Sequence, residues 1–252
     1  MHRDYRLFAI HSRLSSLKLV VPIISPKGGV GKSTVSAMLS LALTDRGIST
    51  GLLDLDITNP ALHIILGINI HSIKLEEVKG IKPFRPLEGL EFMSIAFFTR
   101  GAILPVRGSG IVNIVRDLLA ITNWNSTVLV VDTPPGFSDE VFELLLLLHT
   151  VNPHVAKPLI ITGQSVLSFA STKQLLNLIR RERFEPLGVL CNMCSSAKFL
   201  QETAEAYNVE ILGCVPFIQN FEEIIGDAKA ILKSARPYFN GVIDKILSIV
   251  KA

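Results

Sequence analysis

Short, largely apolar runs alternate along this chain with stretches in which apolar residues recur every three or four positions. Runs at residues 19–24, 50–54, 90–95, 127–132, 158–162, 187–191 and 209–213 have strand length and little polar alternation, the pattern of strands buried on both faces. Residues 35–43, 111–119, 139–149, 166–181 and 238–252 carry helical spacing instead. Strand–helix alternation predicts an α/β fold, a single domain with a mostly parallel sheet and helices on both faces. Ligands of such sheets bind beyond the carboxyl ends of the strands. Residues 60–90 are mixed, with Gly80, Pro83, Pro86 and Gly89 marking loops. Residues 1–17 read as a basic extension, either a flexible tail or an added edge strand, and residues 18–252 as the domain proper. Leu144 to Leu148 is apolar all round, which suits a helix buried against the sheet or a partner subunit.

The richest chemistry lies between the first strand and the first helix, at Pro26-Lys27-Gly28-Gly29-Val30-Gly31-Lys32-Ser33-Thr34. A glycine loop closed by Lys-Ser, preceded by a strand and followed by a helix, is the setting of a phosphate-binding loop. Gly28, Gly29 and Gly31 are expected to take positive φ and, with Val30 and the helix start, to aim N–H groups at an anion. Lys32 would meet the β/γ-phosphates; the Ser33 and Thr34 hydroxyls line the same end, and Ser33 suits Mg²⁺. Asp132 ends an apolar strand before Thr133-Pro134-Pro135-Gly136, where a carboxylate can hold Mg²⁺ opposite the loop. Asp54 and Asp56 end a second strand, where one could bind metal and one orient the attacking water.

The loop carries a second lysine, Lys27. Lys27-Gly-Gly-Val-Gly-Lys32-Ser-Thr resembles the deviant phosphate loop of the MinD/ParA/Mrp class of ATPases, with Pro26 where the usual pattern has Gly. The resemblance implies an ATP-dependent homodimer in which Lys27 reaches the partner's nucleotide. It gives the water-positioning role to Asp56 and leaves Asp54 in the metal shell, so Lys27, Lys32 and Asp56 would be catalytic.

Within that class, residues 130–140, Val-Val-Asp-Thr-Pro-Pro-Gly-Phe-Ser-Asp-Glu, are similar to a motif of Mrp-type iron–sulfur cluster carriers. So are residues 54–60, with Asn59 in place of Gly, residues 93–98 followed by Pro105-Val106-Arg107-Gly108, and residues 187–193. The resemblance makes Asn192 the amide that contacts adenine, a role its donor and acceptor suit; a turn or cap role is the alternative. It also places the loop at Pro216 over the base. It implies a slow ATPase that carries or helps assemble iron–sulfur clusters, with a 4Fe–4S cluster shared across the dimer and apo-proteins as clients.

Cysteine usage departs from that family. The C-P-x-C pair expected a few residues after Asn192-Met193 is replaced by Ser195-Ser196-Ala197-Lys198-Phe199. Cys191 and Cys194 form a displaced C-x-x-C pair that could, with two more ligands, hold Zn²⁺ or a shared cluster, or could pair by oxidation or pack as small core residues. Cys214 reads as packing. Three cysteines argue against a disulfide scaffold and for a reducing, cytoplasmic setting. A net charge of +3 gives no strong nucleic-acid signal, and no apolar run reaches the roughly 18 residues of a spanning helix. Residues 1–6 lack the apolar core of a signal peptide. His63, His71, His149 and His154 show no metal spacing. A mean hydropathy of +0.43 is high and fits a buried dimer face. A ParA/MinD-like switch that binds DNA, membrane or a protein when loaded with ATP is the other reading these features allow.

Overall fold

The computed structural model describes residues 4–102, 104–152, 154–196 and 198–251, with Phe199 described by its backbone alone. Eight strands form one sheet: β1 (Leu19–Ile24), β2 (Thr50–Asp54), β3 (Phe84–Leu87), β4 (Leu90–Ser94), β5 (Val128–Asp132), β6 (Leu159–Thr162), β7 (Gly188–Asn192) and β8 (Ile211–Val215). Their order across the sheet is β3-β4-β2-β5-β1-β6-β7-β8. Every pairing is parallel except the β3–β4 hairpin at one edge. All residues of β1, β2, β4, β5, β6 and β7 are buried, so side chains of both parities are covered. Continuous apolar runs therefore read correctly as doubly covered parallel strands.

The helices are α1 (Arg6–Leu14), α2 (Lys32–Asp45), α3 (Leu62–Ile65), α4 (Ala96–Thr99), α5 (Ser109–Ile121), α6 (Asp139–Val151), α7 (Val166–Arg181), α8 (Gln201–Tyr207), α9 (Phe221–Ile224), α10 (Ala228–Ala235) and α11 (Asn240–Val250). Helix α2 packs on β1, β2, β4 and β5 and is covered by α10, while α11 rests on β8 and β1. Helices α5 and α6 pack together, and α7 covers β6. The leucine-rich helix α6 divides its stripe: Leu144, Leu147 and Leu148 join the main core, and Val141 and Leu145 join a second cluster around Ile24, Ile160 and Cys191.

Pro22 sits inside β1, where a missing N–H is normally costly. Val20 bonds through its N–H to Val155 O and through its O to the Lys157 N–H. Strand parity turns Pro22 to the same side, and the β1–β6 ladder begins only at Ile23.

Residues 1–17 correct an expectation. The segment is neither tail nor edge strand among its described residues but contains helix α1, packed on α5 with Ile10 0% and Leu14 2% exposed. Arg6 donates to Asp117 and Asn113 of α5, and Arg116 bridges back to Asp4. Other boundaries move by two or three residues, among them α2, which starts at Lys32 rather than residue 35, and β8, which runs two residues later than expected. The mixed region 60–90 contributes α3 and the edge strand β3. Trp124 anchors its loop as expected: it is 6% exposed and lies where a side chain on Gly51 of β2 would otherwise sit.

Candidate nucleotide site

Parallel register brings the acidic strand ends together. Asp54 of β2 pairs with Asp132 of β5, Ile23 of β1 pairs with the same Asp132, and Ser94 of β4 lies beside Asp54. The loop after β1 then turns over these ends and enters α2. Gly29 (φ 75°) and Gly31 (φ 82°) take left-handed backbone, whereas Gly28 is not among the positive-φ residues, which corrects the expectation for it. Gly31 is doubly constrained: a Cβ there would lie 2.4 Å from Asn192 Nδ2.

Ser25 ties the loop together. Its Oγ donates to Lys27 O at 2.6 Å and accepts from Lys32 Nζ at 3.1 Å. The Lys32 ammonium is buried, and burial lowers its pKa against the opposing charges of Asp132 and Asp56. No hydrogen bond or ion pair engages the Lys27 side chain among the described residues.

Both inner aspartates are wholly buried. Asp54 accepts from the Asp56 N–H and the Ser94 hydroxyl, each at 3.2 Å. Burial, and next the neighbouring Asp132, push its carboxyl well above the usual range. Asp132 Oδ1 lies 2.9 Å from Ser36 Oγ. Burial pushes Asp132 up to about 6, opposed by the Ser33 and Ser36 hydroxyls and the Lys32 charge. Its Oδ2 is buried without a hydrogen-bond partner among the described residues. An orphaned, electron-rich oxygen beside the Ser33 hydroxyl is suitable chemistry for a hard cation, so these residues fit Mg²⁺. Asp56 lies outside the buried pair, its Oδ1 accepting from the Thr58 hydroxyl at 3.0 Å and the Asn59 N–H at 3.1 Å.

Asn192 ends β7 and donates from Nδ2 to Val30 O at 2.8 Å, joining the far strand to the phosphate loop. Gly31, Thr34, Met38, Asn192, Val215 and Pro216 line a cavity of about 200 Å³ beside that bond. It has room for a base and adjoins the loop. A larger groove of about 1010 Å³, lined by Phe184, Glu205 and Lys245, holds none of the candidate residues.

Ser25, Ser36, Ser94 and Thr133 were not expected from the sequence. Thr133 Oγ1 donates to Ile23 O at 2.7 Å and locks the β5 exit onto β1. Ser36 stands one turn after Ser33, the only available hint to its role. The cysteine pair is also brought together. Cys191 and Cys194 are 0% and 2% exposed and joined by a disulfide, and half-buried Cys214 donates from Sγ to Cys194 O at 3.1 Å.

Glycine-rich loop, buried lysine and paired strand-end carboxylates on a parallel sheet define a P-loop nucleoside-triphosphate-binding protein. Residues 16–250 match the family described as ParA, NUBPL iron-transfer P-loop NTPase, and the chain belongs to that family. A cytosolic Fe–S cluster assembly factor CFD1 from Chaetomium globosum is 31% identical over 86% of this chain and 80% of its own. An iron–sulfur cluster carrier protein from Aquifex aeolicus is 30% identical over 81% of this chain, which spans 59% of that protein. Among solved structures, a nucleotide-binding protein from Archaeoglobus fulgidus in complex with ADP superposes with a TM-score of 0.72 at 23% identity, covering 89% of this chain and 92% of the other. The cell division ATPase MinD of Pyrococcus furiosus gives 0.65 at 16% identity, covering 92% and 100%. These likenesses establish the MinD-like fold. No helix among the described residues is long and apolar enough to cross a membrane.

Proposed function

We propose that the chain is an ATP-hydrolysing homodimer that carries iron–sulfur clusters or assists their assembly, working in the cytoplasm on apo-protein clients. The observation that carries the ATPase half is the register of Asp54 with Asp132 beside the phosphate loop, with Asp132 Oδ2 unpartnered. The cluster half is supported by family membership and by the names of the relatives.

In this reading the amides of Gly28, Gly29, Val30 and Gly31 and the Lys32 ammonium hold the β- and γ-phosphates. Ser33 and Asp132 would hold Mg²⁺, which neutralises developing phosphate charge when bound. Asp54, engaged by Ser94 and the Asp56 amide, backs that shell rather than completing it. Thr34, Asn192 and Pro216 receive the base. Lys32 already has a hydroxyl partner in Ser25, so triphosphate binding exchanges a neutral acceptor for an anionic one. Lys27, half-buried and without a side-chain partner among the described residues, crosses to the second protomer's nucleotide and stabilises the transition-state charge there. Asp56, at the mouth of the site, orients the attacking water, and turnover is slow because the Lys27 contact exists only in the dimer.

The cluster is cargo, and its ligands are the open part of the reading. Cys191 and Cys194 offer a shared 4Fe–4S site only after their disulfide is reduced and the loop after Asn192 has opened. That burial favours a second reading, an ATP-dependent switch that binds DNA, membrane or a protein partner. One experiment separates them. Anaerobically reconstituted protein is mixed with an apo-ferredoxin, with and without ATP, and cluster arrival is followed by circular dichroism. Nucleotide-dependent transfer supports the carrier; no transfer, with ATP-dependent pelleting on DNA or liposomes, supports the switch.

A further inference from the structure

Outside the nucleotide site, one group of side chains with metal-ligand chemistry stands out among the described residues: Cys191, Cys194 and Cys214, whose sulfurs all lie within 4.8 Å of one another. They come from separate places. Cys191 is on β7 and Cys214 faces it in register on β8, while Cys194 follows Met193, whose positive φ of 55° turns the chain back over the pair. The Cys194 N–H bonds to Val215 O at 3.0 Å, which fixes the returning turn to β8. The fold itself gathers the third thiol; no sequence spacing does.

The geometry points to a binding site, within one chain, for a single borderline-soft divalent cation of the zinc type, ligated by the thiolates of Cys191, Cys194 and Cys214 once the Cys191–Cys194 disulfide is reduced. Three arguments carry it. Tetrahedral thiolates around zinc at a metal–sulfur distance of about 2.3 Å are separated by about 3.8 Å, and the three sulfurs already lie within 4.8 Å of one another, so opening the disulfide leaves them in that range. A cubane cluster binds each thiolate to a different iron and needs them spread wider. The surroundings are apolar, with Ile24, Ile160, Val189 and Leu200 in the same cluster. There a divalent ion cancels two of three thiolate charges, whereas a monovalent ion would leave two buried. Half-buried Cys214 leaves the fourth position on the accessible side for water or an incoming thiolate.

The redox step balances simply. A dithiol reductant loses two S–H bonds and forms its own disulfide; the Cys191–Cys194 bond breaks and two S–H bonds form. Metal binding then displaces the thiol protons to solvent. The disulfide and metal-bound forms are mutually exclusive, since each needs the same two sulfurs. This inference does not rest on the ATPase or carrier reading.

The full chain, reduced anaerobically with a phosphine and freed of metal, is titrated with Zn²⁺ against a chromophoric chelator and with Co²⁺ as a spectroscopic probe. One ion per chain, a thiolate-to-cobalt charge-transfer band, and no binding by the oxidised chain are expected. Cys214→Ala, at a half-buried position, should keep the fold by circular dichroism and lose at least about tenfold in affinity, the scale of one lost ligand interaction. Wild type provides a second readout: bound Zn²⁺ should protect all three cysteines from iodoacetamide together. Half an ion per chain, unchanged affinity in Cys214→Ala, protection of Cys191 and Cys194 alone, equal binding by the oxidised chain, or no binding would each overturn the site.

Discussion

Replacing Asp132 by Asn should make the nucleotide-free protein more stable while destroying its response to Mg-nucleotide. In the wild type this carboxylate is wholly buried, with one oxygen unpartnered, and its pKa rises from 3.8 to about 6. At about 1.36 kcal/mol for each pH unit, the ionised form destabilises the fold by about 3 kcal/mol. The sign follows from proton counting. Between pH 4 and 6 the folded chain holds more protons than the unfolded chain, so stability falls as pH rises, and the penalty is complete above about pH 6. Asparagine carries no charge, still accepts from Ser36 and relieves the Asp132 charge that helps push up Asp54. The variant should therefore melt about 6 to 12 °C higher at pH 7.5 and nearly with the wild type at pH 4, measured by calorimetry in matched buffers. Saturating Mg-ATP should raise the wild-type midpoint and leave the variant unmoved. A variant that melts at or below the wild type at pH 7.5, or an offset that does not change with pH, would show that the Asp132 charge is not held at a cost.

Other positions give sharper local tests. Gly31→Ala should abolish nucleotide binding and lower the melting temperature, because φ is 82° and the new methyl would meet Asn192 Nδ2; unchanged binding by equilibrium dialysis would contradict this. Ile10→Ala should cost about 2 to 5 kcal/mol by urea unfolding, since the side chain is fully buried; a loss below about 0.5 kcal/mol would mean that α1 is not docked. Asn192→Ala should weaken ATP about tenfold more than it weakens inorganic tripolyphosphate by calorimetry, since both lose the Val30 O bond but only ATP loses the base contact; equal losses for both would confine Asn192 to supporting the phosphate loop.

Much of this could be read from the chain before its structure. The phosphate loop and Asp132 were legible because buried parallel strands are continuous apolar runs and their chemistry sits at the ends. Ser36 was hidden because it lies in an apolar helix. It tolerates burial because its one hydroxyl proton is shared between Lys32 O and Asp132 Oδ1, each 2.9 Å away, while Ser40 donates back to Ser36 O. Helix α1 was missed although its apolar positions are periodic, because it is only nine residues long and its docking depends on charge pairs to α5 more than a hundred residues away. The β8 boundary slipped because the β7–β8 register shifts between Val189 and Leu190, moving Gly213 opposite Leu190. The same register sets Cys214 against Cys191, so the third thiol was invisible to spacing alone.

Calorimetric titration of Mg-ATP into the wild type and into Lys32→Ala addresses the central assignment most directly. The expected result is one saturable binding event per chain in the wild type and none in the variant. Saturable binding of equal strength in both, or none in either, would contradict the placement of a triphosphate between β1 and α2.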